Sequence, residues 1–247
     1  MITVNQIYEA MQAIAPLELA EHWDNPGLLV TGRCRELSAV LVTLDVTPAA
    51  LEEAEREGAG LIVSHHPVIF DPLRRLDAEE MPYRLAAAGI AAYAAHTNLD
   101  KAPGGVNDTL AALLGLEEVA AADDGLCRVG RLPAAMEARD FACLVARRLG
   151  TPVRACGDGP VRFVGLCGGA GGGEWMKLNP AVDAFVTGEV KHHEWLAARQ
   201  AGLTLVDAGH YATEVCIVDA LGGWLQEAFP ALRVLVHRGE APYRTIE

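Results

Sequence analysis

Leu61-Ile62-Val63-Ser64-His65-His66-Pro67 is a short apolar run that ends in two imidazoles and a proline. A run this short between turn signals, apolar at successive positions, predicts a strand buried on both faces, as in parallel sheets. Residues 39–44 form a second continuous apolar run on its N-terminal side. Between the two, Thr47-Pro48 opens a helix that ends at Gly58. On the C-terminal side a helix is predicted around 82–88 and a strand over 90–94, which runs into His96-Thr97-Asn98-Leu99-Asp100. A helix over 106–114 follows. This β-α-β-α order predicts a mainly parallel sheet covered by helices. At the N-terminus, Thr3-Val4-Asn5-Gln6 reads as a capping box. Trp23-Asp24-Asn25-Pro26-Gly27 is dense turn chemistry before a short strand over 28–31.

A second series of the same kind lies beyond an acidic, glycine-containing stretch, 117–125. It holds strands near 127–132, 162–167, 183–187 and 203–206, with helices over about 137–149 and 191–201. A last long helix, about 211–229, and a strand over 232–236 close the chain. The expectation is an α/β protein of two α/β lobes with mainly parallel sheets flanked by helices. Residues 1–122 with 208–247 would make the first lobe and 123–207 the second.

Composition narrows the function. The chain has 247 residues, 51% hydrophobic and 21% charged, which is ordinary globular composition and argues against disorder. A net charge of −13 disfavours nucleic acid and anionic membrane as partners and suits a protein that binds cations. No apolar stretch approaches a membrane span, and Glu9 falls where a signal peptide would be apolar. The six cysteines form no CxxC pair and mostly fall in apolar runs, so buried, reduced thiols and a cytoplasmic location are expected.

The histidines carry the functional signal. His65-His66, His96, His192-His193 and His210 all fall at the C-terminal ends of predicted strands or at the helix starts that follow. That edge is where open α/β sheets bind ligands. Asp45, Asp100, Glu189 and Asp207 join them there. Pro67 holds His66 extended, so both rings of His65-His66 can reach one cleft. Alternatively, one ring packs and the other meets solvent. His210 and Glu214 stand four apart, on one face of a helix, where they suit a shared metal or a plain hydrogen bond. Asp100 suits a carboxylate ligand or a turn cap, and His96 a ligand, a supporting group or a proton carrier. His192 and His193 suit substrate contact or proton transfer better than ligation, beside the plainer reading of a polar helix start. The run Gly168-Gly169-Ala170-Gly171-Gly172-Gly173 has Walker spacing, but Glu174 stands where lysine is required. It therefore predicts a tight turn or a close backbone approach. His65, His66, Asp100, His210 and Glu214 are many donors for one catalytic zinc and suit two ions.

Five stretches together resemble one family, the NIF-three-like proteins of YbgI type, which carry the name GTP cyclohydrolase type-two homologue. They are Trp23-Asp24-Asn25-Pro26-Gly27-Leu28, Ser64-His65-His66-Pro67, His96-Thr97-Asn98-Leu99-Asp100, Thr187-Gly188-Glu189-Val190-Lys191-His192-His193 and Gly209-His210-Tyr211-Ala212-Thr213-Glu214. The resemblance spans essentially the whole chain, in the family's short form. It implies a dinuclear site in the cleft between two α/β lobes and a ring-shaped homohexamer. The family's metal ligands fall on His65, His66, Asp100, His210 and Glu214, with Glu214 bridging. Mixed imidazole and carboxylate donors admit Zn, Fe, Mn, Co or Ni. The function expected is a metal-dependent hydrolase of a small molecule, a nucleotide included, possessing GTP cyclohydrolase-like chemistry. His96, His192 or His193 would then move protons at the catalytic site. The alternative is a metal-binding carrier or regulatory adaptor without turnover.

Overall fold

The computed structural model describes residues 2–244. Met1 and residues 245–247, ends of the stretches expected to form the first lobe, lie outside them. In chain order the elements are α1 (Val4–Ile14), β1 (Gly27–Val30), β2 (Ala39–Thr43), α2 (Pro48–Glu57), β3 (Leu61–Ser64), α3 (Met81–Ala88), β4 (Ala91–Ala94), α4 (Thr97–Lys101) and α5 (Val106–Leu114). Then come β5 (Glu117–Ala122), β6 (Cys127–Glu137), α6 (Ala138–Leu149), β7 (Arg154–Cys156), β8 (Pro160–Leu166), α7 (Trp175–Leu178) and β9 (Ala184–Thr187). The last are α8 (His192–Gln200), β10 (Thr204–Asp207), α9 (His210–Glu214), α10 (Cys216–Ala228) and β11 (Arg233–His237).

The chain divides into two compact units. One runs to Pro103 and takes up Ile217–Glu240. Its five-stranded sheet has the order β1-β4-β3-β2-β11. All of its pairings are parallel except β1 with β4. Local signals account for its helices. Thr3 and Gln6 complete a reciprocal cap on α1, and Thr47 caps α2 with Pro48 in the first turn. β2, β3 and β4 are buried throughout, as two-sided burial in a parallel sheet requires. Leu41, Ile62 and Ala92 pack with Leu51 and Leu85 in one core. Each large aliphatic side chain there contributes about 1.5–3 kcal/mol.

The other unit is Gly104–Cys216 with the tail from Ala241. Its six-stranded sheet runs β5-β6-β8-β9-β10-β7 and is mixed. β8, β9 and β10 are parallel, while β5, β6 and β7 pair antiparallel. Phe141 and Val145 of α6 pack with Leu110 and Leu114 of α5 over Val164 and Val186.

Five features differ from the sequence expectation. The second sheet is mixed rather than mainly parallel, because β5, β6 and β7 join it by antiparallel pairing, which the short connection between β5 and β6 requires of that pair. The stretch 117–122 is not a connection but an edge strand. It is exposed nearly throughout, so it lacks the apolar alternation that marks a half-buried strand. The three-residue β7 is too short to leave a pattern. Residues 104–122, 208–216 and the tail from Ala241 go with the second unit; α5 packs on α6 and Ala208 joins the same core. Lastly, only Cys127 and Cys167 are buried, while Cys34 and Cys143 are exposed. Cys143 lies on an amphipathic helix, where an apolar neighbour in sequence is not a neighbour on the same face.

Candidate metal centre

In the first unit the strand ends deliver the histidines. His65 and His66 continue the pairing of β3 with β2, their N–H groups donating to Thr43 and Leu44 carbonyls at 3.2 and 3.0 Å. His65 is fully buried. Its Nδ1 donates to the Ala95 carbonyl at 2.8 Å. A carbonyl can only accept, so Nδ1 carries a hydrogen, and in the neutral ring Nε2 keeps its lone pair. That Nε2 faces Asp100 Oδ1 at 3.7 Å. Two donors each about 2.1 Å from one ion stand about 3.4 Å apart at tetrahedral angles. His66 Nδ1 donates to Asp45 Oδ1 at 2.7 Å, which presents its Nε2 in the same way.

His96 completes the cluster. Its ring lies 5.2 Å from that of His65 and 5.6 Å from that of His66. A ring nitrogen of each of the three falls within 4.8 Å of the others. His96 Nδ1 donates to Asp24 Oδ1 at 2.8 Å, and Thr97 donates to Asp24 from its backbone and its hydroxyl. Burial pushes the Asp24 carboxyl up. The hydrogen bonds from His96 and Thr97 and the His96 charge outweigh it and hold the group at about 2. The turn read at Trp23-Asp24-Asn25-Pro26-Gly27 thus has a specific task, to fix His96.

In the second unit, α9 presents His210 and Glu214 one turn apart. Glu214 is 3% exposed. His210 Nδ1 donates to Glu189 Oε1 at 2.7 Å, and His210 Nε2 stands 3.0 Å from Glu214 Oε2. A neutral ring with its hydrogen on Nδ1 turns a lone pair toward that carboxylate. Two electron-rich atoms so close, one of them buried, call for a cation or a proton between them.

The glycine run supplies space for this pair. At Gly169, with φ of 60°, a Cβ would lie 2.1 Å from Glu214 Oε1 and 3.2 Å from His210 Nε2. At Gly188 it would lie 2.7 Å from both His210 Cα and Thr213 Oγ1. Gly169 N donates to Thr213 Oγ1 at 3.0 Å and Gly188 N to the Gly169 carbonyl at 2.9 Å, pinning the loop to α9. Backbone is therefore packed where any side chain would displace the carboxylate. The close-approach reading of 168–173 holds, and no phosphate chemistry is needed to explain it.

Beside His210 opens a cavity of about 630 Å³, lined in part by Arg154, Lys191, Glu189, Asp207 and Tyr243. Its volume is in the range of small-molecule sites. Burial pushes the Tyr243 phenol up, and the charges of Asp207 and Glu189 add to this against Arg154. His192 and His193 are exposed at the start of α8, and neither is among the described residues lining this cavity. Asp123, Cys127 and Glu174 make a further group of potential donors in this unit. Lys177 Nζ lies 2.9 Å from Asp123 and 2.6 Å from Glu174, so an ammonium already holds the cation's place.

The donor chemistry fits divalent ions. The first unit offers His65, His66 and His96, and the second His210, each with Nδ1 tied to an oxygen acceptor, the arrangement that supports metal-bound histidines. Each unit also offers a carboxylate facing an Nε2. The model of the DUF34/NIF3 (NGG1p interacting factor 3) family matches residues 2–241.

The chain belongs to the DUF34/NIF3 family.

It is 37% identical over 217 residues to the GTP cyclohydrolase 1 type 2 homolog of Lactococcus lactis, covering 81% of this chain and 82% of that protein. The structure matches the hypothetical protein SA1388 of Staphylococcus aureus with a TM-score of 0.91 and 27% identity over 99% of each chain. It matches the protein ybgI, of unknown function, with a TM-score of 0.90 and 29% identity over 98% of this chain and 100% of that one. These likenesses bear out the family and the fold of two helix-flanked sheets read from the five stretches. Sequence reading named Asp45 and Glu189 only as strand-end carboxylates and gave Asp24 no role of its own. Their position at strand ends and in the first of the five NIF3 stretches was the signal, but their partners lie far along the chain.

Proposed function

We propose that this DUF34/NIF3 protein is a metal-dependent hydrolase in which His65, His66, Asp100, His210 and Glu214 would hold a pair of divalent ions, with Glu214 the carboxylate that both would share. The observation that carries the reading is the engagement of Nδ1 on His65, His66 and His210, by Ala95, Asp45 and Glu189 respectively. In the neutral rings it selects one tautomer and makes each Nε2 the donor toward a metal. Divalent ions, when bound, lower the pKa of water and polarise an electrophilic carbon. Zn, Fe, Mn, Co and Ni are all compatible with these donors.

The chain's own groups do the rest. Asp45 and Glu189 orient His66 and His210 and make them stronger donors. His96 is held by Asp24 through Nδ1, and its proposed task is to carry a proton to and from the substrate through Nε2. His192 and His193 are exposed, and their proposed task is proton exchange with solvent or substrate contact. The name of the Lactococcus lactis relative supports a GTP cyclohydrolase-like reaction, in which water opens the guanine imidazole ring and formate leaves. The proposal places the protein in the cytoplasm as a hexamer of identical chains. Among the described residues no helix is long and apolar enough to cross a membrane.

Elemental analysis of wild type beside Glu214→Ala tests the metal site. A pair of transition-metal ions per chain, lost or halved in the variant, is expected. Formate release from GTP by metal-loaded protein tests the reaction. Turnover no higher than that of Glu214→Ala removes the cyclohydrolase reading. Metal retained without hydrolysis of any substrate leaves a metal-binding carrier or adaptor.

A further inference from the structure

Trp23 and Phe70 are large apolar rings left 52% and 46% exposed. Their centroids are 6.0 Å apart, with the rings tilted 43° to one another. Both stand against His96, at 6.3 and 6.2 Å, and each meets its imidazole nearly edge-on. Leaving two such rings in water forfeits a large part of the hydrophobic stabilisation that burial would bring.

Their placement is built rather than incidental. Asn25, two residues beyond Trp23, donates from Nδ2 to the Ile69 carbonyl at 2.7 Å, next to Phe70. This ties the two aromatic loops to each other. Asp24 ties the same turn to His96 and Thr97. The segments that carry the rings are thereby tied to each other and to the His65–His66–His96 cluster. Preorganised aromatic faces beside an imidazole able to hydrogen-bond are what a flat, polar ring needs from a binding site. A ring stacked on one face meets the other tilted, the arrangement aromatic groups favour over a parallel sandwich.

We propose that Trp23 and Phe70 form a binding platform for a planar heteroaromatic ring, placed beside His96 and the His65–His66 pair. The platform names the class of substrate for the hydrolase reading. It rests on that reading for the chemistry that follows but not for the binding itself.

The test titrates guanosine and cytidine into the full-length protein, metal-loaded and after chelator treatment, with ribose 5-phosphate as the ring-free control. Binding is followed by calorimetry and by quenching of tryptophan fluorescence. Both nucleosides are expected to bind, with ribose 5-phosphate far weaker. Trp23→Ala should weaken them by about tenfold or more, as removal of one stacking ring does. Phe70→Ala should weaken them too, and Trp23→Tyr should restore most of the affinity. The Tyr variant keeps the test valid if Trp23→Ala fails to fold by circular dichroism. No preference for nucleoside over ribose 5-phosphate, or nucleoside affinity unchanged in both alanine variants, overturns the platform. So does a drop in oligomer mass in these variants with nucleoside binding intact, because the rings would then belong to a contact between copies. Ring binding that survives while metal and turnover are absent counts against the hydrolase reading alone. Metal and turnover without ring binding count against the platform alone.

Discussion

The imidazole of His66 is held by Asp45, whose Oδ1 accepts the Nδ1 hydrogen at 2.7 Å. The bond selects the tautomer with its lone pair on Nε2. Asp45 is half exposed, so its removal leaves no buried charge behind. Asp45→Ala should therefore lower metal affinity about 10- to 100-fold while changing stability little. Competition with a chromogenic chelator measures the first and thermal unfolding the second. Unchanged affinity would mean that the ring is oriented by other means.

Gly169 offers a sharper contrast. Gly169→Ala would place a methyl 2.1 Å from Glu214 Oε1, whereas at Gly150, with φ of 64°, a Cβ meets nothing within 4 Å. Both substitutions carry the cost of a left-handed backbone, about 1–3 kcal/mol. Only the first should also displace Glu214 and reduce bound metal. Equal metal content in the two variants would show that the loop yields without moving the carboxylate.

Asp24 makes stability depend on acid. Its carboxyl titrates at about 2 in the folded chain against an ordinary 3.8. A depressed folded value stabilises the protein above the unfolded value and is lost as pH falls through the window from 3.8 to about 2. The contribution at neutral pH is about 2 kcal/mol. Denaturant melts of wild type and Asp24→Asn should differ near neutral pH and converge across that window. A difference that stays constant with pH would remove the linkage.

Chelation should lower Tm. Ions present at a hundred times their Kd stabilise the folded chain by about 2.7 kcal/mol. Wild type should lose that increment when a chelator is added and recover it on reloading. Glu214→Ala should start lower and respond less. An identical response in both proteins would place the stabilising ions elsewhere.

Much of this molecule is written locally. The caps of α1 and α2, the continuous apolar runs of β2 and β3, and the i, i+4 spacing of His210 and Glu214 depend on near neighbours. Helix starts, burial on both faces and helical periodicity are read from residues a turn apart. That is also why the histidines could be placed at strand ends from the sequence alone. What only the tertiary structure decided is who holds them. His96 is fixed by Asp24, His66 by Asp45 and His210 by Glu189, each in a different loop. Likewise Gly169 meets Glu214 only because the loop after β8 is packed against α9. β11 returns from the end of the chain to pair with β2, while the exposed β5 and the three-residue β7 take the two edges of the other sheet. Partners such as these are selected by burial and by the satisfaction of polar groups between segments remote in sequence. A local pattern records the demand for a partner, and the packed chain chooses which residue meets it.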